Sequence, residues 1–357
     1  MTAQTDQSES TKARIIISVD AMGGDEGPAT VVAGCDASAR KNPAISFILH
    51  GPEDTLTGLV ARRKALSGRC EVRNATDVIT MDDKPGQVVR NGQDTSMWSA
   101  IEAVRDGSAA VAVSCGNTGA LMAMSMIRLR KMPGVNRPAI AVLYPSSNPH
   151  GFNVMLDVGA DVKADANDLL RFALMGVSYA RNGFELARPR VGLLNVGTEE
   201  HKGHSGLKEA FELIDGQQAA ANFDFVGFVE GSDITGDICD VIVTDGFTGN
   251  IAIKTGEGTA NLVSNSLREA FKFSILSRIA ALMAYPSLRR LKKKVDPRRA
   301  NGGVFLGLNG TVVKSHGAAD ATGVSSAIKL AARLADNQFT DKLAARVAAL
   351  PAEETEQ

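Results

Sequence analysis

In the stretch VTDGFTGNIAIKT (243–255), Asn250 and Lys254 stand four residues apart, the spacing that puts two side chains on one face of a helix. Two carboxylates so placed would suit a divalent cation. An amide and an ammonium present N–H donors instead, and donors suit an anion. Lys202, flanked by His201 and Gly203 in TEEHKGHSG, is a second cation in a glycine-containing loop, and His204 follows. His316, in KSHGAAD, has the side chain best able to give or take a proton near neutral pH. His50 and His150 lie beside glycine or proline and read as structural. No G-x-S-x-G elbow occurs and no Cys or Ser stands in a nucleophile motif, so a covalent acyl-enzyme is not indicated.

Two further loops have the composition of an anion cradle. GNTG comprises Gly116, Asn117, Thr118 and Gly119, at the point where a strand turns into a helix. A helix start offers unpaired backbone N–H groups and the positive end of a dipole. DAMGGD places Asp20 and Asp25 around Gly23 and Gly24, which allow a tight turn or a close backbone approach. Each loop taken singly is equally well read as a helix cap. Together, five such loops, at 20–25, 114–119, 157–161, 195–203 and 244–250, favour a ligand bearing phosphate or carboxylate. The first loop is not G-x-G-x-x-G, so a dinucleotide fingerprint is absent there.

Positioning these side chains is a matter of the elements between them. Apolar runs at 14–20, 45–50, 109–114, 139–144, 152–158, 190–197, 223–231 and 240–246 alternate with helical patterns. Runs apolar on both faces and separated by helices predict a three-layer α/β/α fold with a mainly parallel sheet. In such a sheet the loops after the strands share one edge, beyond the carboxyl ends, where ligands bind. Residues 264–299 predict a helical hairpin bent near Pro286, with ten basic residues against two acidic ones from Arg268 to Arg299. The expected organisation is a disordered tail over 1–13, a single catalytic domain over 14–335 that includes the hairpin, and a C-terminal helix and tail over 336–357.

The chain has 357 residues, 44% of them hydrophobic, and a formal net charge of −1, the composition of a globular enzyme. That balance gives no reason to expect nucleic-acid binding. The four cysteines, Cys35, Cys70, Cys115 and Cys239, have no CxxC spacing and read as reduced thiols of a cytosolic protein. No run of about 18 apolar residues predicts a membrane span, and the polar start lacks the apolar core of a signal peptide.

VDAMGGD, SCGNTGALMA, RPAIAVLYP, LDVGAD, VGLLNVGTEEHKG, VTDGFTGNIAIKT and LGLNGTVVKSHGAAD together resemble, in content and order, the signature blocks of the bacterial phosphate acyltransferase family, over about residues 14 to 335. The resemblance implies transfer of a long-chain acyl group from acyl carrier protein to inorganic phosphate, giving acyl phosphate for phospholipid synthesis. It also implies a fold like that of isocitrate and isopropylmalate dehydrogenases, a homodimer, and neither metal nor nicotinamide cofactor. Peripheral attachment to the inner face of the cell membrane is expected, beside the membrane glycerol-3-phosphate acyltransferase that uses acyl phosphate. Three places depart from the family pattern: Gly92 and Gln93 replace usual lysines, Ala300, Asn301 and Val304 alter a Tyr-Gly-Gly-Ala setting, and Cys115 replaces alanine. The last argues against Cys115 as a catalytic thiol.

On this reading Lys202, Asn250 and His316 are the catalytic candidates. Asp20, Gly23, Gly24, Asp25, Gly116, Asn117, Thr118, Gly119 and Lys254 are the candidates for substrate and phosphate binding. In the hairpin, Ile279, Leu282 and Met283 with Arg289, Arg290, Lys292 and Lys293 suit an anionic membrane, and the same basic face suits acidic carrier protein. A dimer interface is the alternative use of that apolar stripe. A short-chain phosphotransacetylase using acyl-coenzyme A and a non-catalytic anion-binding module are the alternative functions. A metal-dependent 2-hydroxy-acid dehydrogenase lacks its paired carboxylates on this helix.

Overall fold

Neighbouring residues of the central strands go to opposite sides of a sheet that is covered on both. Val111, Val113, Val304, Leu306 and Val313 join one buried cluster, while Ala112, Phe305 and Val312 join another. The structure, a computed structural model, describes residues 14–199, 201–295 and 302–348, the side chains of 291–295 excepted. The tail 1–13, residues 349–357, Ala300, Asn301 and the side chains of Lys292 and Lys293 therefore lie outside the described residues.

The strands are β1 (Ile15–Asp20), β2 (Ile45–Gly51), β3 (Cys70–Asn74), β4 (Val111–Ser114), β5 (Ala139–Pro145), β6 (Phe152–Leu156), β7 (Arg190–Leu194), β8 (Asp224–Val229), β9 (Val241–Val243), β10 (Gly303–Leu306) and β11 (Thr311–Lys314). The α-helices are α1 (Gly27–Lys41), α2 (Glu53–Ala61), α3 (Pro85–Asn91), α4 (Ser96–Arg105), α5 (Thr118–Arg128), α6 (Ala166–Phe184), α7 (Ser205–Gly216), α8 (Gln218–Ala221), α9 (Gly246–Lys272), α10 (Ile275–Val295), α11 (Ala321–Asp336) and α12 (Phe339–Ala348). All eight expected runs form strands. The short, partly exposed β3 has no apolar run to announce it.

The strands make one sheet in the order β3-β2-β1-β4-β11-β10-β5-β6-β9-β7-β8. Seven of its ten pairings are parallel; the exceptions are β11 with β10, β10 with β5, and β5 with β6. Strands β1, β2, β3, β4 and β11 therefore run one way and β6, β7, β8 and β9 the other. This corrects the expectation of a single binding edge: the loops after β1, β4 and β11 leave one edge of the ribbon, and those after β6, β7 and β9 leave the other. Alternation of strands and helices carries no information about that reversal.

Helices α1, α6, α7, α11 and α12 bury their apolar faces on one side of the sheet. Helices α3, α4 and α5 cover Ala112, Ile140, Phe305 and Val312 on the other side. The base of α9 covers Met155 and Ile242 through Ala252 and Ile253, and Val142 packs against both of these last two clusters. The starts of α5 and α9 thus belong to the same face.

The hairpin is present but turns elsewhere. Helix α9 ends at Lys272, and Ser274 starts α10 by accepting the Ser277 N–H on its hydroxyl at 3.1 Å and the Arg278 N–H on its carbonyl at 3.1 Å. Pro286 lies inside α10 rather than at the bend. A capping serine closes the turn, and an interior proline forgoes one helical hydrogen bond without ending the helix.

Candidate functional site

On the first edge, three loops are stitched together by backbone hydrogen bonds. Ser315 N donates to Ser114 O at 2.8 Å, and Asp25 N to Gly317 O at 2.9 Å. Asp20, buried at the end of β1, accepts from the hydroxyls of Ser96 and Ser114, both at 2.7 Å, and from the amides of Met22 and Gly23. Burial nonetheless raises its pKa, outweighing those four donors. Its oxygens are occupied, so Asp20 organises the loop rather than facing a ligand. Gly23 fits between the two: a Cβ there would stand 2.6 Å from Asp20 Oδ2 and 2.7 Å from the Gly116 amide.

Asn117 is likewise committed. Its Oδ1 caps α5 by accepting from Ala120 N at 3.1 Å, and its Nδ2 donates to the carbonyls of Met81 and Asp83. Thr118 and Gly119, in the first turn of α5, are exposed. His316 is exposed, and its Nδ1 accepts from Ala318 N at 3.3 Å. In the neutral ring that assigns the proton to Nε2. The burial of Cys115 raises its thiol pKa, the opposite of what a nucleophile needs.

On the second edge, the loop after β7 is shaped around Lys202. Asn195 Oδ1 accepts from Val196 N at 2.8 Å while its Nδ2 donates to Lys202 O at 3.3 Å. Lys202 Nζ lies 2.8 Å from Glu199 Oε2 and half-exposed, and the pairing raises the lysine pKa and lowers that of Glu199. A Cβ on Gly197 would stand 2.3 Å from Lys202 Cδ, so a larger residue there would make the lysine side chain shift.

Helix α9 is capped by Asp245, not by Asn250. Asp245 accepts from Thr248 N at 2.9 Å and from Thr248 Oγ1 at 2.6 Å. Asn250 therefore sits within the first turns with its amide uncommitted to capping, and Lys254 lies one turn on, exposed to solvent. The loop after β6 lies against this helix start. Gly246 N donates to Asp161 O at 2.7 Å, and a Cβ built on Gly159 would touch the Asn250 side chain at 3.7 Å. That loop is held by Asp157, which sequence reasoning passed over. Its carboxylate accepts from the amides of Ile140, Ala160 and Asp161. Burial pushes its pKa up to about 6, against those amides, which pull it down. The repeated loop grammar in LDVGAD was the available signal; the burial was not. Among the described residues no group of three or more His, Cys, Asp or Glu side chains is placed to hold a metal.

The arrangement offers donors at the starts of α5 and α9, on one face of the sheet but at opposite edges. The chain matches the family described as "Fatty acid synthesis protein" over residues 15–342. It is 81% identical to a phosphate acyltransferase of Roseobacter denitrificans over 357 residues, all of both chains. The chain belongs to this family. A phosphate acyltransferase of a Ruegeria species is 70% identical over 348 residues, covering 98% of this chain and 93% of the relative. Among solved structures, a phosphotransacetylase from Streptococcus pyogenes superposes with a TM-score of 0.59 at 17% identity, covering 90% of this chain and 94% of the other. That likeness establishes the α/β architecture as shared.

Proposed function

We propose that this enzyme transfers a long-chain fatty acyl group from acyl carrier protein to inorganic phosphate, releasing acyl phosphate for phospholipid synthesis. The observation that carries the reading is full-length similarity, 81% identical, to a phosphate acyltransferase. Supporting it, α9 bears Asn250 and Lys254 in place of metal-binding acids.

A phosphate oxygen attacks the thioester carbonyl carbon, and the carbonyl electrons move to oxygen. They return as the carbon–sulfur bond breaks, and the thiolate of the carrier's prosthetic arm leaves and takes up a proton. Phosphate near neutral pH carries about −1.5 to −2 charges, by analogy with phosphomonoesters, so it needs positioning more than deprotonation. Lys202 and Lys254 are assigned to the anion, Asn250 to the oxyanion that develops on the carbonyl, and His316 to the departing sulfur.

The exposed apolar side chains at the turn of the hairpin support attachment to a membrane surface, where the acyl-phosphate-consuming acyltransferase works. Phe273 is 90% exposed and Leu276 79% exposed. Ile279, Leu282 and Met283 continue the patch along α10, and Arg289 and Arg290 follow towards the body. The outer half of α9, with Leu262, Val263 and Leu267 exposed, is assigned to a homodimer contact. Residues 14–335 are taken as one catalytic unit, acting at the cytoplasmic face. No helix among the described residues is long and apolar enough to cross a membrane.

The test is to mix the purified protein with palmitoyl carrier protein and phosphate, with no divalent metal added, and to trap acyl phosphate as the hydroxamate. Product from palmitoyl carrier protein supports the reading. Product from acetyl-coenzyme A alone would point to a short-chain phosphotransacetylase, and no turnover with either donor would overturn acyl transfer.

A further inference from the structure

Lys314, the last residue of β11, stands among the loops of the first edge without belonging to the candidates above. It is partly buried, and its Nζ donates to Cys115 O at 3.2 Å and to Ser315 O. These carbonyls begin the loops that follow two adjacent parallel strands, in which Lys314 is paired with Ser114. One loop leads into Asn117 and Thr118, the other into His316. The nearest acids are Asp20 and Asp25, and the Asp20 oxygens already take the Ser96 and Ser114 hydroxyls.

Two carbonyl oxygens brought to one point repel unless a donor sits between them. A partly buried ammonium there costs desolvation, which a lysine free to turn to solvent would avoid. We propose that Lys314 is a positioning residue of the transfer reaction, its ammonium tying the Cys115 and Ser315 carbonyls together and so setting His316 against the start of α5. The proposal rests on the acyl-transfer reading and deepens it.

A consequence separates this role from plain structural support. Burial lowers the Lys314 pKa to about 8, with Cys115, Asp20 and Asp25 opposing the shift. The charged and titratable groups facing it are those three, together with His316 in its own loop. The Cys115 pKa is raised by burial, so its thiol stays protonated in this range. The ammonium is present below about pH 8 and is lost above it, which weakens the tie.

The experiment compares the wild-type protein, Lys314→Met and Lys314→Gln in acyl phosphate formation across pH. We expect wild-type kcat to fall through an alkaline limb near pH 8 that both variants lack. Lys314→Met should lose about tenfold or more in kcat, as for a lost charge-assisted hydrogen bond, with the phosphate KM changed by less than about threefold. Lys314→Gln, which keeps an N–H donor, should retain more kcat than Lys314→Met. A Lys314→Met kcat within about twofold of wild type, an alkaline limb that persists in the variants, or an effect confined to phosphate KM would each overturn the assignment. If Lys314→Met does not fold, the pH profile of Lys314→Gln against wild type decides alone. Absence of wild-type turnover removes the acyl-transfer reading itself, whereas wild-type turnover with unaltered variants removes only the role of Lys314.

Discussion

Asn250 and Lys202 differ in how much of their surroundings is already spent. Asp245 does the capping at the start of α9, so the Asn250 amide is left for a ligand. Lys202 is paired with Glu199, and a doubly charged phosphate must compete with that carboxylate for the ammonium. We expect Asn250→Ala and Lys202→Ala each to lose most acyl phosphate formation, about a hundredfold in kcat for an oxyanion donor, with unchanged circular dichroism. Near-wild-type turnover in both would remove them from the mechanism. Asp157 belongs to the same scale but to stability. Its native pKa, about 6, lies above the ordinary 3.8, so the folded state holds the proton more tightly. Stability from this group is therefore full below about pH 4 and is lost as pH rises through 6, by about 3 kcal/mol in all. Chemical denaturation of wild type and Asp157→Asn between pH 4 and 7 should show that difference narrowing in the variant; parallel curves would contradict it.

At the scale of elements, α9 is locked to the loop after β6 by glycines rather than by side chains. A Cβ on Gly249 would fall 2.0 Å from the carbonyl oxygen of Asp157 and 3.0 Å from Thr244 Cγ2. The first contact is with backbone, which has no rotamer to escape by. Gly249→Ala should therefore destabilise the protein by roughly 1–3 kcal/mol and displace Asn250, so that the melting temperature and kcat fall together. A variant as stable and as active as the parent would show that helix and loop move freely. Gly258 on the same helix meets nothing within 4 Å and is the matched control for adding a methyl group. The glycines in this segment were visible as letters; which of them has a neighbour was not.

At the scale of the molecule, the hairpin projects apolar side chains that the sheet does not cover. Phe273, Ile275 and Leu276 cluster at its turn, each more than 70% exposed. Arg289 lies 13 residues beyond Leu276, about 20 Å along the helix, so the basic stretch is set back towards the body. Phe273→Asp with Leu276→Asp should abolish co-sedimentation with anionic vesicles while leaving transfer from soluble palmitoyl carrier protein within about twofold. Unchanged sedimentation would instead assign the patch to another protein surface.

The alternating apolar runs, the strand-to-helix loops and the donors on α9 were legible from the chain itself, because hydrophobic periodicity and turn chemistry are local. So was the family, since its motifs are contiguous blocks. Strand order was not, because pairing β10 and β5 between two parallel halves is a contact between distant segments, and it divided the expected single edge in two. The hairpin turn moved from Pro286 to Ser274 because a helix can absorb one missing hydrogen bond and a capped serine marks a better end. Asp20 and Asn117 turned from candidate ligand contacts into organisers of their loops, and Lys314 and Asp157 emerged as groups with work of their own. Those four outcomes depend on burial and on which distant partners arrive, and burial exists only in the folded molecule.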